Sequence, residues 1–179
     1  MKCIALSRKA LCNTPTYVGI NTNHLLISIS CPNDEVDIPS SQYCKGLLRL
    51  QFDDVQDLDT QKYTVFNSEM ARRVLKFVDT YCSQAQLIIC QCDAGISRSV
   101  AMASALSKII NHHDDDVFSL GIPNMLVYNT ILEEFFMEKD PRKKWPSIFY
   151  LRGKAMENSL DIVTNKIWNK RVEDRIKGE

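Results

Sequence analysis

Cys92 closes the apolar run Leu87-Ile88-Ile89-Cys90-Gln91-Cys92 and stands six residues before Arg98. Asp93-Ala94-Gly95-Ile96-Ser97 lies between them, and Ser99 follows the arginine. A cysteine thiolate is a strong nucleophile. The planar fork of an arginine matches two phosphoryl oxygens at once. A serine hydroxyl at position 99 can donate a hydrogen bond to the thiolate. Together these groups suit displacement at phosphorus, which needs in-line positioning and charge stabilisation. Cys92 would take the phosphoryl group as a phosphocysteine, and water would then release it.

The flanking elements must bring these groups together. Leu87 to Ile89 reads as a short buried strand. Val100 to Ile110 is rich in helix formers and almost uncharged, so it reads as a buried helix. The turn between them must gather several backbone N–H groups into one concavity, and Gly95 permits the conformation that such a turn needs. Those N–H groups and the helix N-terminus make an anion site lined by Asp93, Ala94, Gly95, Ile96, Ser97 and Arg98. The same field favours a thiolate over a thiol at Cys92.

Cys92-x5-Arg98-Ser99, with Ala94-Gly95-Ile96-Ser97 inside it, resembles the signature of cysteine-dependent protein-tyrosine phosphatases, particularly the dual-specificity branch. The pattern of elements resembles that family from roughly Leu25 to Phe136. The resemblance implies a compact, mostly parallel sheet with the loop at a strand's C-terminal edge. It also implies a general acid on a loop some thirty to forty residues before the nucleophile. Asp54 fits best, one step beyond the alternation of Leu48, Leu50 and Phe52; Asp53 is the runner-up, and Asp57 and Asp59 are remote alternatives. The acid protonates the leaving oxygen and then, as a base, activates water. Family members usually carry histidine before the nucleophile, where this chain has Gln91. Glutamine can hydrogen-bond but cannot carry charge, so a phosphate-binding module without turnover is the alternative.

The expected partner is a phosphorylated protein or peptide, with phosphotyrosine first and phosphoserine or phosphothreonine as further candidates. Hydrolysis of an RNA 5′-phosphate is a minor alternative; nucleic acid is otherwise not expected. The chemistry calls for no metal and no cofactor. His112-His113-Asp114-Asp115-Asp116 are consecutive and cannot readily converge on one ion, and Cys90-x-Cys92 lacks a second pair at zinc spacing.

The 179 residues fit one α/β domain, with a central mostly parallel sheet flanked by helices and a strand–loop–helix site. Formal charge is balanced overall, but 1–138 carries eleven basic against sixteen acidic residues, and 139–179 eleven against six. The catalytic domain is therefore placed at 1–138, and 139–179 is a basic helical extension packed on it. Seven cysteines without secreted-domain spacing, no apolar leader and no run of membrane-spanning length point to a reducing cytoplasm and no membrane.

Further elements are legible. Ile4 with Leu6, Tyr17 to Ile20, Leu25 to Ser30 and Leu47 to Phe52 read as strands, and 33–46 as a polar loop with at most one helical turn. Phe66 to Tyr81 reads as a helix capped by Asn67 or Ser68, and another helix opens at Pro123-Asn124. Lys139 to Pro146 reads as a basic turn, followed by a helix with Met156, Leu160, Val163 and Ile167 on one face.

Overall fold

The computed structural model describes residues 1–12, 17, 19–34, 36–56, 61–137 and 139–157. Strand β1 (Lys2–Ser7) leads directly into the short helix α1 (Arg8–Cys12). β2 (His24–Ser30), β3 (Cys44–Gln51) and β4 (Leu87–Cys92) complete a four-stranded sheet in the order β1-β4-β2-β3. All three pairings are parallel. Parallel neighbours need crossover connections, which carry the covering elements.

Every residue of β2 and β4 is buried, so both faces of the central strands are covered. Ile27, Ile29, Ile88, Cys90 and Cys92 belong to the larger core, and Leu26, Leu87 and Ile89 join Leu11 and Tyr17 on the smaller one. The period-two alternation of strand side chains divides them this way.

On the larger core lie α2 (Ser68–Tyr81), α3 (Arg98–Asn111) and α5 (Met125–Phe136), with the single turn α4 (Asp115–Phe118) between the last two. Asn67 caps α2 by accepting from the N–H of Met70 at 3.1 Å. The buried face of α2 is Ala71, Val74, Leu75 and Val78. Burial of each of the larger three is worth roughly 1.5–3 kcal/mol. Tyr81, the last residue of α2, is exposed. Twelve of the fourteen residues of α3 are buried, in keeping with its nearly uncharged sequence.

Several expectations needed correction. Tyr17 lies in no strand: its hydroxyl pairs with His24 Nε2 at 3.0 Å, and its carbonyl accepts from the N–H of Ile20 in a local turn. β3 begins at Cys44, earlier than the alternation indicates, because the N–H of His24 reaches back to the carbonyl of Tyr43 at 2.9 Å. The basic turn contains a short helix, α6 (Pro141–Lys144), opened by proline. Residues 146–157 form α7. Trp145 and Ile148 enter the larger core, and Asp79 Oδ1 of α2 accepts from the N–H groups of Ser147 and Ile148 at 2.8 and 3.0 Å. The helical face assigned to Leu160, Val163 and Ile167 falls outside the described residues.

Candidate active site

β4 ends at Cys92 and α3 starts at Arg98, so five residues make the turn between them. Gly95 adopts φ 77°, and a Cβ there would stand 2.4 Å from the backbone nitrogen of Ser7. Glycine is therefore required twice, for the left-handed backbone and for the close approach to the end of β1. The turn folds back on its own sulfur: the N–H of Gly95 donates to Cys92 Sγ at 3.3 Å, and Ser99 Oγ lies 3.1 Å from the same atom. Cys92 is thus brought to the first turn of α3, where the helix end favours negative charge. The other buried thiols stand elsewhere. Burial pushes Cys3 up to about 12 and Cys90 well above its ordinary value, as fits inert core thiols.

Arg98 is 3 % exposed. Its Nη1 donates to the carbonyl of Phe52 at 2.7 Å and its Nη2 to Asp93 Oδ2 at 2.6 Å. Burial works against the guanidinium charge, but Asp93, Cys31 and Asp54 outweigh it and hold the group above its ordinary value. Arg98 Nε lies 3.7 Å from Asp54 Oδ2 and has no hydrogen-bond partner among the described residues.

The two aspartates after β3 diverge. Asp54 turns toward the loop, where its Oδ1 accepts from Ser97 Oγ at 2.8 Å and from Asn124 Nδ2 at 2.9 Å. Asp53 is committed to Thr64, accepting from its N–H and donating to its carbonyl, both at 2.8 Å. Asp57 and Asp59 lie outside the described residues. The structure therefore brings Cys92, Arg98, Ser99 and Asp54 into one cluster and leaves Asp53 apart from it.

Gln91 points away from the sulfur's own contacts. It is fully buried, its Oε1 accepts from Ser28 Oγ at 2.8 Å, and its Nε2 has no hydrogen-bond partner among the described residues. The rim of the loop is apolar on one side. Ile96 is half exposed, and its carbonyl accepts from the N–H of Ile122 at 2.9 Å. A Cβ on Gly121 would meet that carbonyl at 2.3 Å, so glycine lets the exposed Leu120 and Ile122 approach the loop.

Three participants escaped the sequence reading. Asn124 was legible as a helix start, and its Oδ1 does accept from the N–H of Val127 at 3.3 Å. Its amide nitrogen also holds Asp54 and the carbonyl of Val55. Arg8, at the start of α1, pairs through Nη2 with both Asp93 and Asp34. Cys31, at the end of β2, donates to Asp93 Oδ2 at 3.6 Å and lies 3.7 Å from Arg98 Nη1. No local pattern marks Arg8 or Cys31, because their partners are 26 to 85 residues away.

Comparison with solved structures assigns the fold: it is that of the cysteine-dependent phosphatases of the dual-specificity type. The human tyrosine phosphatase-like serine/threonine/tyrosine-interacting protein superposes with a TM-score of 0.52 at 16% identity, covering 73% of this chain and 89% of that one. DUSP15 superposes with a TM-score of 0.51, also at 16% identity, covering 87% and 90%. No protein-family model matches the sequence, and no curated protein is significantly similar to it.

Proposed function

We propose that this protein is a cysteine-dependent phosphatase that hydrolyses phosphotyrosine in a protein or peptide, with phosphoserine and phosphothreonine as further substrates. The observation that carries this reading is the convergence of Cys92, Ser99, Arg98 and Asp54 around one loop. In the first step the thiolate of Cys92 attacks phosphorus and the bond to the leaving oxygen breaks. Asp54 gives that oxygen its proton. In the second step water attacks the phosphocysteine, Asp54 takes the proton, and the sulfur leaves with Ser99 donating to it. Arg98 and the N–H groups of 93–98 bear the charge on the phosphoryl oxygens throughout. The exposed Ile96, Leu120 and Ile122 suit an aryl leaving group more than a solvated alkyl one. All seven cysteines are free thiols, which fits a reducing cytoplasm. Among the described residues no helix is long and apolar enough to cross a membrane.

The second reading is phosphate binding without turnover. Gln91 favours it, because its carbonyl is spent on Ser28 and it offers no charge beside the nucleophile. One experiment separates the two: para-nitrophenyl phosphate hydrolysis across pH, with EDTA present, for wild type, Cys92→Ser and Asp54→Asn. The phosphatase reading expects no turnover in Cys92→Ser. In Asp54→Asn it expects a fall of about 10²–10⁴-fold and a flattened pH profile. Full activity in Cys92→Ser would remove the nucleophile assignment. A folded, inactive wild type that binds phosphate would establish the second reading.

A further inference from the structure

Asp93 sits directly after the nucleophile and contributes its N–H to the loop. Its side chain does something else. Oδ2 clamps Nη2 of the buried Arg98 at 2.6 Å, while the carbonyl of Phe52 clamps Nη1. With both ends fixed, the guanidinium turns its unpartnered Nε edge toward Asp54. This orients Arg98, but it also plants a carboxylate beside the position of a phosphoryl dianion. That charge opposes the ligand.

Arg8 answers it. Its Nη2 reaches Asp93 Oδ1, the oxygen that Arg98 does not use, and the same nitrogen reaches Asp34 Oδ2. Its backbone N–H donates to the carbonyl of Asp93 at 3.1 Å. The hydrogen bond to Asp34, helped by the charge of Asp93, holds the Arg8 guanidinium above its ordinary value, so it stays charged. The two arginines take different oxygens of the Asp93 carboxylate.

We propose that Arg8 is a positioning residue for the phosphoryl site: it neutralises and anchors Asp93, so that Asp93 can orient Arg98 without opposing a bound phosphoryl group. This rests on reading the loop as a phosphoryl site. The side chain of Arg8 is 33% exposed, and an ordinary surface pair at that exposure would contribute almost nothing. The proposal therefore predicts an effect that a surface salt bridge does not have.

The test is the affinity for tungstate, a phosphate-like dianion that needs no turnover, measured by calorimetry. Wild type, Arg8→Gln, Arg8→Lys, Asp93→Asn and the Arg8→Gln/Asp93→Asn double variant are compared, with circular dichroism and melting to confirm the fold. Arg8→Gln is expected to weaken binding by about tenfold, and by less than about twofold once Asp93 is neutral, as coupled charges require. Arg8→Lys restores the charge and should bind within about threefold of wild type. Equal losses in both backgrounds, or Arg8→Lys binding no better than Arg8→Gln, would overturn the proposal while leaving the phosphoryl site intact. So would an unchanged affinity in folded Arg8→Gln. Should Arg8→Gln not fold, Arg8→Lys decides against wild type: affinity kept within about threefold supports the role, and a larger loss overturns it. A folded wild type that binds no tungstate would overturn the phosphoryl-site reading itself, and this proposal with it.

Discussion

Arg98 depends on its fork. Nη1 and Nη2 are held by Phe52 and Asp93, which leaves Nε and the remaining N–H directions for an anion. A lysine would carry the charge but could not satisfy the Phe52 carbonyl and Asp93 together with a phosphoryl group. Arg98→Lys should therefore lower kcat/KM for para-nitrophenyl phosphate by on the order of a hundredfold or more, comparable to deleting a donor to a developing oxyanion. Melting curves run alongside separate this from lost stability; a loss under tenfold in a folded variant would deny Arg98 its place. Asp54 and Asp53 make the complementary point. They are adjacent in sequence and of one type, yet one faces the loop and the other is bonded twice to Thr64.

At the scale of elements, the site is a loop pinned from three sides. Gly95 lets it press on the end of β1. Gly95→Ala would have to accept both a left-handed backbone and a contact of 2.4 Å with the Ser7 nitrogen. The cost should exceed about 1 kcal/mol in urea unfolding, and activity should fall with it. Asn124 is the second pin, capping α5 with its oxygen and holding Asp54 with its nitrogen. Asn124→Ala should cost about 1 kcal/mol from the lost cap. It should also reduce kcat more than it raises KM, since Asp54, the proposed acid, loses its orientation while Arg98 is untouched. Steady-state kinetics would detect this split, and a pure change in melting temperature would reduce Asn124 to a cap. The third pin is Gly121, which admits the loop bearing Leu120 and Ile122 to the carbonyl of Ile96.

For the whole molecule, the smaller core on the other face of the sheet contains a titratable pair. His24 is fully buried, with Nε2 against Tyr17 Oη at 3.0 Å and Nδ1 against the carbonyl of Thr22 at 2.8 Å. Burial, aided by Lys45, lowers its affinity for a proton below the ordinary value of 6.5, and the bond to Thr22 only partly offsets this. Around that pH the unfolded chain binds more protons than the folded one. The contribution of His24 is therefore complete above 6.5 and is lost as pH falls through the lower folded value. The melting temperature should decline on acidification through this window, and His24→Gln should flatten the decline. An identical pH slope in the variant would assign the effect to other groups.

Much of this was legible in the sequence because it is local. Cys92, Gly95, Arg98 and Ser99 act within one turn, so their spacing alone placed them on a strand end, a loop and a helix start. β2, α2 and α5 follow from apolar periodicity, β4 from a short apolar run and α3 from helix-forming, nearly uncharged residues, all of which each segment carries in itself. Asp54 was legible through the family resemblance together with the alternation of Leu48, Leu50 and Phe52, whereas its capture by Ser97 and Asn124 was not. Tyr17 read as part of a strand because β-propensity ignores the hydroxyl contact with His24, seven residues on, that holds it inward. Arg8 and Cys31 were legible in no local pattern, and Asn124 only as a helix start, not as a partner of Asp54. Their partners come from other strands and loops, and only the parallel packing of β1 and β2 against β4 brings those ends together at Cys92. Local chemistry determined what the loop can do; the crossing of distant segments decided which side chains orient it.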